Sequence, residues 1–215
     1  RIGHIYYRYV GTGKSATIPA GITIIAPNAF STGHLIETIA FEDADEIKSI
    51  GADAFVNTKW INENHTSAET GHATTFVKDG FVVVNGILIA KRGRDAVVEI
   101  PSEVVTIATG AFDNQYITNV TVPADSNLAL IETDAFNGAT NLMALSFINA
   151  TDSVFALFND GAFSDANGEV INDNFKIYFY EAPLAALASA INDSDSPALK
   201  AWKTLYSGAS EMFEV

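Results

Sequence analysis

Apolar side chains return along this chain in a fixed pattern around the dipeptide Ala-Phe, found at 29/30, 54/55, 111/112, 135/136 and 162/163. Five residues before each Phe stand Ile25, Ile50, Ile107, Ile131 and Phe158, and eight before stand Ile22, Ile47, Val104, Leu128 and Phe155. Two before it stand Asn28, Asp53, Gly110, Asp134 and Gly161, the residue types that tolerate left-handed backbone or cap a helix. Each copy is therefore expected to turn at the same place and to send its Phe into the core. Phe30 and Phe55 are 25 residues apart, Phe112 and Phe136 are 24 apart, and Phe136 and Phe163 are 27 apart. Units of that length cannot bury an apolar face alone, so the period predicts a solenoid whose coils stack and share one core.

A strand is predicted after each corner, with Ile39 and Phe41, Val120 and Val122, and Leu145 and Phe147 facing inward. The alternate positions Thr38, Ala40, Asn119, Thr121, Ala144 and Ser146 then face outward as an uncharged parallel surface. A larger repeat contains the small ones. Adding 82 to a number carries Ile5 to Ile87, Gly11 to Gly93, Pro19 to Pro101 and Phe30 to Phe112. After residue 35 the offset becomes 81, which carries Ile39 to Val120 and Phe55 to Phe136. The chain reads as one domain, 1–215, with an internal duplication over 1–80 and 83–165 and a last strand plus cap over 166–215.

Between Phe55 and Phe112 lies a longer insertion. Its polar part, 59–75, reads as loop, and FVVVNGILIA reads as a β-hairpin about Asn85 and Gly86. By the offset of 82, residues 1–19 correspond to the hairpin's second arm and lack the first, so the chain is read as a segment processed or excised from a longer array. Near the other end, Ile177 and Phe179 supply a last strand. Ser196 and Pro197 signal a helix start, and Leu199, Trp202, Lys203 and Tyr206 form one face of a helical cap.

Charge narrows the function. Twelve basic against 26 acidic residues give a net charge of −14, which disfavours nucleic acid and anionic membranes as partners. Positive charge gathers only at Arg8, Lys91, Arg92 and Arg94. No apolar run is long enough to insert in a membrane. Absence of cysteine removes disulfides, thiol catalysis and thiolate metal sites.

Candidate chemistry is thin. His65 and His72 share a polar loop with Glu63 and Glu69, but their spacing matches no compact metal motif, and His4 and His34 stand apart. The acidic groups at Glu42–Glu46, at Asp165, Asn167 and Glu169, and at Asn192, Asp193 and Asp195 do not complete a calcium loop and read as solvated turns. No nucleophile elbow is present, so no catalytic residue, metal or cofactor is expected. Tyr6, Tyr7 and Tyr9 on one strand, with Tyr116, Tyr178 and Tyr180 near the sheet, are the aromatic candidates for glycan contact.

The IPxxV run from Ile100 to Val104, the xxIxxxAF run ending at Phe112, the NTxW at Asn57–Trp60, GILIAKRG at 86–93 and the IYFYEAPLAAL segment resemble the BspA-like leucine-rich repeat proteins over nearly the whole chain. The second and fourth repeats lack the Pro, and the fifth is weak. The resemblance implies an α/β repeat solenoid: a β-rich, right-handed leucine-rich repeat superhelix with inserted β-hairpins and a helical C-terminal cap. It also implies a secreted or cell-surface, often bacterial, non-enzymatic adhesion module. A protein or cell-surface ligand is the expected partner, with a surface glycan or a passive spacer role as alternatives. Thr38, Ala40, Asn119, Thr121, Ala144, Ser146 and Tyr178 are the expected partner-binding positions.

Overall fold

A computed structural model of the chain describes residues 3–62, 75–148, 157, 159, 161–163, 171–172, 174–180 and 213–214. Its contacts divide the chain into two compact units, Arg1–Arg92 with Ala108–Ala111, and Gly93–Ile107 with Phe112–Val215.

The first unit contains β1 (Ile5–Tyr6), β2 (Ser15–Ile18), β3 (Ile24–Ile25), β4 (Thr38–Phe41), β5 (Ser49–Ile50), a four-residue helix α1 (Lys59–Asn62), β6 (Phe76–Lys78), β7 (Phe81–Val84) and β8 (Ile87–Lys91). Two parallel ladders alternate along the chain. β1, β3 and β5 pair in that order, aligning Tyr6, Ile25 and Ile50, while β2 and β4 pair from Ser15 with Thr38 to Ile18 with Phe41. Strands one repeat apart thus pair in parallel, so each repeat lies against the next. β6, β7 and β8 instead form an antiparallel meander. Its turns, Asp79-Gly80 and Asn85-Gly86, hold φ of 51°, 78°, 46° and 73°, the positive values that two-residue hairpin loops require.

The second unit contains β9 (Val97–Glu99), β10 (Thr106–Ile107), β11 (Asn119–Val122), β12 (Leu130–Ile131), β13 (Ala144–Ile148), β14 (Lys176–Tyr180) and β15 (Phe213–Glu214). β9, β11, β13, β14 and β15 form one continuous parallel ladder, and β10 pairs with β12.

The five Ala-Phe corners behave as the spacing predicts. Phe30, Phe112, Phe136 and Phe163 are fully buried and Phe55 nearly so. Asn28, Asp53, Gly110, Asp134 and Gly161 all adopt left-handed backbone, with φ of 55°, 57°, 71°, 57° and 75°. The rings lie one above another. Phe30 stacks on Phe55 at 5.0 Å, Phe112 on Phe136 at 4.7 Å, and Phe136 on Phe163 at 5.0 Å. Each column extends past the Ala-Phe set: Tyr6 and Tyr9 stack on Phe30, Trp60 meets Phe55 edge-on, and Phe175 follows Phe163.

Some expectations need correction. Leu128 is only half-buried, because the Ser126 hydroxyl accepts the Leu128 N–H at 3.1 Å and shapes a surface turn, whereas a 3-10 turn over Ala44–Glu46 presents Ile47 to the core. Helix is scarce: among the described residues α1 is the one α-helix, and turns complete most coils. Residues 1–19 do not form one strand; β1 and β2 are separated by irregular chain from 7 to 14. β6 and its Asp79-Gly80 turn were not anticipated. Phe155, Phe158, His65, His72 and the cap residues Ser196 to Tyr206 lie outside the described residues.

Candidate binding face

Strand pairing sets the outward positions in rows. One row runs Val97, Asn119, Ala144 and Lys176, and the next runs Glu99, Thr121, Ser146 and Tyr178. In the first unit Thr38 and Ala40 stand outward on β4 beside Ser15 and Thr17 of β2, and all four are exposed. Asn119, Thr121, Ser146 and Tyr178 are half-buried.

Ala144 departs from the expected exposure. It lies on the outward side of β13 but is buried, a methyl group sunk between the longer side chains of Asn119 and Lys176 on either side. The face is also less uniform than the central positions suggested. Val97 is 68% exposed, while Glu99 and Lys176 add opposite charges at its flanks. β7 offers no comparable surface, since all four of its residues are buried.

Other candidates resolve into scaffold. The Glu42 and Glu46 carboxylates accept the N–H groups of Ala20 and Gly21, tying one coil's acidic run to the preceding coil's turn. Sequence reasoning missed this role because the partners lie 22 and 25 residues away and are backbone groups. The basic cluster is similarly spent. The Lys91 ammonium is buried, donates to the Arg92 carbonyl at 2.6 Å and sits 5.1 Å from the Phe81 ring centre, while the Arg92 guanidinium donates to the Ile61 carbonyl. Arg94 lies over the ring of Tyr116 at 5.2 Å. On the exposed rim of the first unit, Lys14 donates to Glu37 at 3.0 Å and holds that carboxyl below its ordinary range, with Lys59 adding to the effect at 3.6 Å.

A second device escaped sequence reasoning: asparagine amides that bridge coils. The amides of Asn57, Asn127, Asn141 and Asn172 donate to the carbonyls of Ser31, Ser102, Gln115 and Thr140, each 25 to 32 residues earlier. Asn85 donates to both Asp45 and Ile47 carbonyls, at 3.0 and 2.8 Å, pinning the hairpin turn to a neighbouring coil. Their recurrence near one repeat length was the available signal.

Trp60 anchors α1 inside the first unit. Thr58 caps that helix, its hydroxyl accepting the Ile61 N–H at 3.2 Å, and the indole packs against Phe41 and Phe55. An apolar cavity of about 10 Å³ beside it is lined by Ile39, Phe41, Trp60, Val83 and Val84, room for a water at most. Such a space does not admit a substrate. Among the described residues no group of three or more His, Cys, Asp or Glu is placed to hold a metal, and no helix is long and apolar enough to cross a membrane.

A sequence model described as the BspA type leucine rich repeat region matches six copies in this chain, over residues 1–75 and 96–177. Neither the curated proteins nor the solved structures provide a significant match.

Proposed function

Because this chain belongs to the BspA-type leucine-rich repeat family, we propose that it is a non-enzymatic module of the cell surface or secreted space that adheres by binding other proteins. The observation that carries this reading is the register of β9, β11, β13 and β14, which sets Asn119, Thr121 and Ser146 in straight rows with Val97, Glu99, Lys176 and Tyr178 across four strands. Such a face is extended and shallow, suited to a protein surface rather than to enclosing a small molecule. Thr121, Ser146 and Tyr178 lie in one row with Glu99, and Val97 begins the other as an exposed apolar contact.

A panel of extracellular matrix proteins and whole cells, captured against the purified chain, tests the reading. Thr121→Arg and Ser146→Arg should lower capture by about ten-fold, a loss of roughly 1.4 kcal/mol, with the melting temperature unchanged. Capture by neither matrix proteins nor cells would refute it.

Exposed tyrosines favour a glycan as the second reading: Tyr7 is 63% exposed and Tyr116 is 43% exposed. A glycan array in which Tyr7→Ala and Tyr116→Ala abolish a hit would decide for it. The architecture in this proposal is one solenoid domain, a right-handed superhelix of two duplicated halves, followed over 166–215 by a last strand and a helical C-terminal cap. Its support is the matching pair of ladders, β2 with β4 and β9 with β11, found one in each unit.

A further inference from the structure

Trp60 is fixed by its main chain and by its rings, but its indole nitrogen is left over. The Trp60 main-chain N–H donates to the Ile36 carbonyl of the preceding coil at 2.9 Å, Thr58 caps the short helix that carries it, and its rings pack against Phe41 and Phe55. The residue is 3% exposed, and Nε1 lies in the interior with no protein acceptor within hydrogen-bonding distance. A donor buried in this way forfeits the bond it makes to water in the unfolded chain. Because the packing holds the ring in place, an acceptor has to come to it.

Beside the indole lies the cavity of about 10 Å³, walled by strands β4, β6 and β7. Its wall holds one other polar side chain, Thr75, which is also buried and whose hydroxyl accepts the Asn85 N–H at 2.8 Å. A hydroxyl has two lone pairs and a proton, so one accepted bond does not exhaust it. An internal water needs roughly 10–15 Å³ and about two to four polar partners. This cavity meets the first condition for a single molecule, and Trp60 with Thr75 meets the second. The rest of the lining is apolar, which disfavours an ion, and the volume excludes anything larger than water.

We propose that the cavity is a binding site for one internal water, which accepts the Trp60 Nε1–H and bonds to the Thr75 hydroxyl. The bridge joins α1 to the residue that leads into β6, so the meander is tied to the coil beneath it through a solvent molecule.

Oxygen-17 relaxation dispersion on the full chain tests this, because it counts long-lived internal waters without interference from exchanging hydroxyl protons. Trp60→Phe should hold one fewer such water than the parent. Thr75→Val should show the same loss; it keeps the indole and decides the matter should the Phe variant fail to fold. In the parent chain, the Trp60 indole proton should give a direct cross-peak to water. An unchanged count in either folded variant would overturn the proposal, as would an indole proton with no cross-peak to water. So would an indole proton shifted upfield by the Phe55 ring, which would mark that ring as its acceptor.

Discussion

Asn28, Asp53 and Asp134 hold backbone that costs most L-residues about 1–2 kcal/mol, and they do so two residues before a buried aromatic ring. Glycine fills the same position at Gly110 and Gly161, so the requirement is conformational. Asp134→Gly should therefore change stability by less than about 0.5 kcal/mol, whereas Asp134→Val should cost about 1–2 kcal/mol in urea unfolding. Phe112→Ala removes a fully buried ring stacked on Phe136 and should cost about 3–5 kcal/mol in the same measurement. Tyr6 is held above its ordinary pKa of 10.0, first by burial and then by Tyr9. Its neutral phenol is favoured by the fold, so that stabilisation is complete below pH 10 and declines as the pH rises through the raised value. Alkaline melts should show Tyr6→Phe losing less stability above pH 10 than the parent chain. At this scale the sequence was readable wherever a residue type answers to its own backbone or burial, as at the five corners. It was not readable where one ring depends on another far along the chain, as Tyr6 on Phe30 or Phe175 on Phe163.

The elements show why legibility differed along the chain. Strands β4, β11 and β13 follow from alternation, and the Asn85-Gly86 turn from its dipeptide. β6 is three residues long and only half-buried, too short for periodicity to register. The expected binding positions were correctly placed on strands, yet Ala144 shows that an outward position is not always an exposed one when its row neighbours are longer. Glu42 and Glu46 show a related limit, since their charge suggested a solvated turn and their partners are main-chain amides. Replacing both with Ala should lower stability by about 1 kcal/mol for each lost bond, read by thermal unfolding. Local proteolysis near Pro19–Gly21 should accelerate in the same variant.

For the whole chain, the net charge of −14 is a global repulsion that no single pair relieves. Adding sodium chloride to about 0.15 M shortens the screening length to roughly 8 Å, so the melting temperature should rise from its low-salt value. A fall would show that ion pairs such as Lys14 with Glu37 outweigh the repulsion. The repeat period made the β-rich stacked architecture visible, but the bonds that hold coil to coil are carried by amide and carboxylate groups that the apolar pattern does not record. One of those groups also sets a chemical lifetime. Asn85 precedes Gly86, a neighbour too small to shield the asparagine side chain from attack by the next backbone nitrogen, and that route ends in deamidation. Attack expels ammonia and closes a cyclic imide; the product, isoaspartate with some aspartate, would exchange two donated bonds for a negative charge facing the carbonyl oxygens of Asp45 and Ile47. An ageing molecule would thus begin to come apart at its hairpin, while its aromatic columns were still intact.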